Sequence, residues 1–257
     1  MALPSTLRPF KSTLPLVTFR PLGSAPVSRP DRTATLQRTP DKNGASVTPM
    51  SSFARGERAA LADTLLAAGP DAPTLCTGWA TRDLAAHLVL RERRPDAAPG
   101  ILLKAVAGHA KKVQDGLAAG DYAGLVGKVR TPPVWLRPGF AEEAVNLIEF
   151  FIHHEDVRRA TAGWTPRQLD PGYEAALSAR VKGSAKLSTR RFPARIVVKV
   201  PGAEPFTVGR GGDAELVVEG APGELLLFFT GRQRAAHVDV TGPDELADKL
   251  RGARLGL

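Results

Sequence analysis

Asn146-Leu147-Ile148-Glu149-Phe150-Phe151-Ile152-His153-His154-Glu155-Asp156-Val157-Arg158-Arg159-Ala160 mixes apolar and ionisable residues at helical spacing. Glu149 and His153 stand four apart, so on an α-helix both side chains leave from one face. Asp156 follows three residues further along that face. Leu147, Ile148, Phe150, Phe151 and Ile152 make the segment apolar nearly all round, which predicts a buried helix. A carboxylate and an imidazole inside such a helix need partners, because an unpaired buried charge is costly. A divalent metal would satisfy both, if the rest of the chain supplies a third ligand.

The third ligand is sought upstream. Phe53, Leu61, Leu65 and Leu66 predict a first amphipathic helix over 53–68, ended by Gly69-Pro70. A loop with Cys76 and Gly78-Trp79 follows. Thr81 is a suitable N-cap, with Asp83 in the first turn near the positive end of the helix dipole. The second helix then runs to about Arg91. Leu84, His87, Leu88 and Arg91 have i, i+3, i+4, i+7 spacing, so His87 is placed on the inward face. Pro95 and Pro99-Gly100 break that helix. A third is expected over 101–119, with Leu102, Val106, Val113 and Leu117 among its apolar positions. A connection rich in glycine and proline leads to the fourth, at about 141–162, which contains the opening stretch. Four helices within 51–162 fit a four-helix bundle.

Beyond Gly163-Trp164-Thr165-Pro166 the pattern changes. A short helix is expected at Tyr173–Ala179. Strands are expected at Arg195–Val200, Phe206–Val208, Glu215–Val218 and His237–Val240. Pro222–Phe229 reads as a helix stopped by Gly231, and Gly242-Pro243-Asp244-Glu245 opens a last one. The fold class expected is therefore α+β. A basic extension over 1–49 precedes a metal-binding helical bundle over 50–165, and a small α+β domain occupies 166–257.

Composition narrows the function classes. The chain has 257 residues, ample for a sizeable core, with 43% hydrophobic and 24% charged residues. No unbroken apolar run approaches the roughly 18 residues of a membrane span, so no membrane partner is expected. Cys76 stands alone, which rules out an intramolecular disulfide and fits a reducing cytoplasm. The net charge of +9 invites a nucleic-acid reading. Residues 1–49, however, hold seven basic residues against Asp31 and Asp41, a local excess of +5 that leaves only +4 for the other 208. With no RRM, KH or helix-turn-helix signature, no nucleic-acid partner is expected.

The same 49 residues carry eight prolines, twelve Ser/Thr and no glutamate, the composition of a disordered segment. A basic, acid-poor start resembles an organellar transit peptide, whereas a signal peptide would need a continuous apolar stretch that is absent. Met50 is the only other methionine and leads straight into helical periodicity. Initiation at Met50 is the favoured reading of this segment.

His87, Glu149 and His153 are thus the metal-ligand candidates. Two nitrogens and a carboxylate with room for water suit Zn²⁺ or a similar divalent ion. Asp156 is placed to orient a histidine. Plainer readings stand beside this one. His87 alone could be a core-edge histidine bonded to a backbone carbonyl, and Glu149 with His153 could be a helix-surface pair. His154 points roughly a quarter turn away and is read as structural. His109, beside Lys111 and Lys112, is read as solvated.

Gly78-Trp79-Ala80-Thr81-Arg82-Asp83-Leu84-Ala85-Ala86-His87-Leu88 resembles the GW-x-x-x-DL-x-x-HL signature of the mycothiol-dependent maleylpyruvate isomerase N-terminal domain family. Glu149-x-x-x-His153-His154-x-Asp156 is similar to the second metal motif of that family, which is abundant in actinobacteria and belongs to the DinB-like metal-binding four-helix bundles of bacteria. The similarity spans about residues 51–162, and Leu225–Arg232 resembles, more loosely, the small α+β domain appended to such bundles. Residue by residue, the resemblance puts the metal on His87, Glu149 and His153. It implies a metal-dependent thiol transferase or isomerase with mycothiol as cosubstrate and a small electrophile as second partner. The alternative is a non-catalytic metal- or ligand-binding or stress-response protein built on the same bundle. Pro95 and Pro99 depart from the pattern by shortening the second helix, and no residues match a pocket specific for maleylpyruvate. Cys76 has no evident partner base in the sequence. Arg232 and Arg234 are candidates to hold a carboxylate if the C-terminal part folds over the bundle.

Overall fold

Helix α1 (Phe53–Ala68) begins where the Ser52 hydroxyl accepts a hydrogen bond from the Arg55 amide at 3.2 Å. Leu61 and Leu65 are fully buried on its inner face, whereas Leu66 is exposed. The computed structural model describes residues 52–256, so the readings made of residues 1–49 lie outside the described residues. Helix α2 spans Thr81–Arg93, and its N-cap is Ala80 rather than the expected Thr81. The Asp83 carboxylate accepts from the Ala80 amide at 2.9 Å, and the Thr81 hydroxyl donates instead to the Gly69 carbonyl, which ties the end of α1 to the start of α2.

The expected helix over 101–119 is shorter than its periodicity suggested. Two 3₁₀ turns, Ala98–Ile101 and Lys104–Val106, precede α3 (Ala107–Ala118). Leu102 and Val106 are exposed rather than inward. The chain folds back so tightly that a Cβ on Gly100 would stand 2.6 Å from Ala110 Cβ and from the Val106 carbonyl oxygen. The connection read as irregular contains a further helix, α4 (Tyr122–Arg130), capped by Asp121, which accepts from the amides of Ala123 and Gly124. Two glycines mask it, but Leu125, Val126 and Val129 give it a buried stripe.

Helix α5 (Gly139–Arg158) carries the opening stretch. Its apolar residues point two ways because two cores share it. Phe150 and Val157 pack with Leu61, Leu84 and Val126 in a core made with α1, α2 and α4. Leu147, Phe151 and Ile152 pack with Leu177, Leu226 and Phe229 from the C-terminal part.

In that part, α6 spans Pro171–Thr189, far beyond the seven residues expected. Its two glycines and three serines are weak helix formers. Tyr173, Leu177, Val181, Ala185 and Thr189, buried at every fourth position, keep it helical through packing. Strands β1 (Arg195–Lys199), β2 (Phe206–Val208), β3 (Glu215–Glu219) and β4 (Asp239–Thr241) form one sheet in the order β2-β1-β3-β4. Strands β1 and β3 pair in parallel, with Val197 opposite Val217, and the outer pairings are antiparallel. Ile196, Val198, Leu216 and Val218 alternate inward and share a core with α6 and α7 (Pro222–Phe229). Helix α8 (Asp244–Gly252) closes the chain. Gly223 lets α7 approach α5: a Cβ there would stand 2.7 Å from the Phe151 ring. The class is α+β, a helical region followed by a small sheet part. Among the described residues, no helix is long and apolar enough to cross a membrane.

Candidate metal centre

The third face of α5 is neither core. Glu149 and His153, one turn apart, look across to His87 on α2. His87 Nε2 lies 3.4 Å from Glu149 Oε1, and His153 Nε2 lies 3.3 Å from the same oxygen. One ligand atom from each of the three residues falls within 4.8 Å of the other two. The two imidazole rings meet edge to face at 5.3 Å, and the tilted Trp79 ring lies 5.1 Å from the His87 ring. The sequence therefore placed together, from two helices, three side chains that the structure also brings together.

Electrostatics couples the group. Burial pushes the His87 imidazole below its ordinary range, outweighing the Glu149 hydrogen bond that opposes the shift. Burial pushes the other way on Glu149, yet hydrogen bonds from His153 and His87 and the charges of His153 and Arg91 hold its carboxyl well below the usual range. Burial also opposes charge on His153, but its partners Asp156, Cys76 and Glu149 hold it well above the ordinary histidine range. His153 Nδ1 lies 2.8 Å from Asp156 Oδ2, which leaves Nε2 directed at Glu149.

Asp156 is itself clamped. Arg232 donates to both its oxygens, at 2.8 and 2.6 Å. Burial raises the Asp156 carboxyl, but Arg232 and His153 hold it far below the usual carboxylate range. Cys76 Sγ lies 3.2 Å from Asp156 Oδ2 and 3.5 Å from Arg232 Nη2, so the thiol has the acidic neighbour that its sequence context did not reveal. Cys76, His153 and Asp156 form a second group of close ligand atoms. The two groups share His153, and in the second the carboxylate is held by two hydrogen bonds from Arg232.

A cleft of about 1140 Å³ opens on these residues. Its walls include Trp79, Ile148, Leu187 and Phe229, with Arg91 and Arg232 as polar points. Arg232 thus lies where a C-terminal arginine was expected, but committed to Asp156. Arg234 is exposed and is not among the lining residues. His154 faces the other way, 2.7 Å from Glu57 and 2.8 Å from the Thr64 hydroxyl. His109 is half exposed and pairs with Asp96 at 3.0 Å. Sequence reasoning missed the buried support beneath the site: Arg58 is 1% exposed and holds Glu92 and Glu142, and Asn146 donates to Glu92 at 2.8 Å. The available signal was ionisable residues on the inner faces of α1, α2 and α5.

No protein-family model matches the chain, and comparison with curated proteins gives no match. Among solved structures, the chain is similar to a crystal structure of the mycothiol-dependent maleylpyruvate isomerase, with 16% identity and a TM-score of 0.47 over 74% of this chain and 90% of that one.

Proposed function

We propose that this chain is a divalent-metal-binding protein that activates a low-molecular-weight thiol, of the mycothiol type, for a transfer or isomerisation reaction on a small electrophile. One observation carries the reading: three ligand atoms from two helices lie within 4.8 Å of one another on the wall of a large cleft. His87 and His153 would hold the ion through nitrogen and Glu149 through oxygen, a donor set that suits Zn²⁺. When bound, such an ion supplies a Lewis-acidic position that lowers the pKa of a thiol toward neutrality. The thiol's identity rests on the resemblance of the Gly78–Leu88 and Glu149–Asp156 motifs.

The protein's own residues do the rest. Asp156 accepts from His153 Nδ1 and fixes the ring so that Nε2 serves the site. Arg232 holds Asp156 in place through two hydrogen bonds. Trp79 packs on His87 and limits its rotation. Ile148, Leu187 and Phe229 give the cleft an apolar lining beside the polar group.

Calorimetry of mycothiol binding to zinc-loaded and chelator-stripped protein tests the reading. Binding that requires metal and releases close to one proton per thiol near pH 7, read from the dependence of heat on buffer, supports it. Equal binding with and without metal, or none, would overturn it. Thiol binding with no turnover of any electrophile would assign the site to the non-catalytic alternative.

A further inference from the structure

We infer that Arg91 is a built-in competitor for the Glu149 carboxylate, one that weakens divalent-metal binding and favours nitrogen-preferring ions over oxygen-preferring ones. This inference rests on the metal-binding reading above. Arg91 follows His87 by one turn of α2, and its Nε stands 3.4 Å from Glu149 Oε1. That is the oxygen from which His87 and His153 lie 3.4 and 3.3 Å. A permanent cation therefore occupies the approach to the one anionic ligand of the group.

The guanidinium is held where it is. Nη1 donates to Asn146 Oδ1 at 2.6 Å and Nη2 to the Val145 carbonyl at 2.9 Å. Asn146 is fully buried and donates to Glu92, which receives two hydrogen bonds from Arg58 at 2.9 and 2.6 Å. Arg58 in turn sits over the Phe150 ring. This chain of fixed groups stops Arg91 from swinging aside as a solvated surface arginine would, and arginine cannot escape by deprotonation. Its side chain is only 21% exposed, so water and salt screen its charge incompletely.

Two consequences follow for an ion at the group. It meets repulsion from a positive charge a few ångströms away, and the carboxylate it needs is partly neutralised. A hard cation that depends on carboxylate oxygen loses most by this, whereas Zn²⁺ keeps its two imidazole nitrogens. Arg91 thus sets both affinity and selectivity without being a ligand.

Competition with a chelator of known affinity measures the effect on the full chain. Arg91→Gln is expected to bind Zn²⁺ about tenfold more tightly than the wild type, a change of ~1.4 kcal/mol, and to gain more than that for Mn²⁺. Arg91→Lys keeps the charge and is expected to stay within about threefold of the wild type for both ions. The direction is diagnostic, because a residue that merely braced the helices would weaken binding when removed. Unchanged or weaker Zn²⁺ binding in folded Arg91→Gln would overturn the inference alone, as would equal tightening in Arg91→Lys. Should the glutamine variant fail to fold, Arg91→Met removes the same charge and is judged by the same criterion. A wild-type protein that takes up no metal would overturn both this inference and the function it rests on.

Discussion

His153 and His154 are neighbours on α5, yet they lead opposite lives. His154 is enclosed: Glu57 and Thr64 from α1 take its two ring nitrogens, at 2.7 and 2.8 Å, and Arg167 reaches the same glutamate at 2.7 Å. His153 is held by residues of its own helix and opens on the cleft. Its Nδ1 meets Asp156, while its Nε2 faces Glu149 and His87 at a cleft wall. A turn of about 100° along a helix separates a histidine whose ring nitrogens go to α1 from one whose Nε2 points into a group of close candidate ligand atoms. Identical residue types therefore acquire their roles from what the neighbouring elements bring. The His154 face fastens α5 to α1, and the His153 face converges on a ligand group.

The largest contrast comes from truncating each face in turn. His153→Ala removes one of the two proposed nitrogen ligands, and zinc retained by the purified protein is expected to fall to background while His154→Ala keeps its metal. Metal analysis of the two variants side by side checks this, and loss in His154→Ala alone would invert the comparison. Next in size is Glu57→Ala, which leaves Arg167 and His154 without their shared partner. Breaking a buried ion pair in this way typically costs ~3–5 kcal/mol of stability, and urea titration should show such a loss with zinc binding intact.

A smaller effect is expected for Asp156→Asn, which keeps shape but removes the charge that orients His153. Loss of such an outer partner lowers metal affinity by roughly 10–100-fold. Affinity equal to wild type would show that His153 needs no such support. The mildest effect is that of acid. Burial pushes the Glu57 carboxyl up, but His154 and Arg167 hold it below its ordinary value. Its folded pKa thus lies below the unfolded one, so its contribution to stability is present above the unfolded pKa. That contribution is lost as pH falls through the folded pKa. The wild type should lose stability more steeply than Glu57→Gln between about pH 5 and pH 3, and parallel urea curves for the two would remove this role from Glu57.

What could be read in the sequence follows the same division. Helix α1, strand β2 and helix α7 lie where periodicity and punctuation placed them, the two helices because each has a strong apolar pattern and a clear stop. The His87, Glu149 and His153 grouping was legible because i, i+4 spacing fixes two side chains on one face without knowledge of the fold. Helix α4 was hidden by glycines, and the length of α6 by small polar residues that only burial makes helical. The clamp of Arg232 on Asp156 spans 76 positions, and the contact of Cys76 with Asp156 spans 80, so neither leaves a local pattern. Arg91 was visible on the inward face of α2, but its restraint by Asn146 and Glu92 depends on packing between α2 and α5.

Whether His87, Glu149 and His153 together hold one divalent ion is decided by metal stoichiometry. Zinc content would be measured after equilibration and gel filtration for wild type, His87→Ala and His153→Ala, each shown to be folded by circular dichroism. One zinc per wild-type chain and none in either variant is the expected result. One zinc retained in both variants would contradict it.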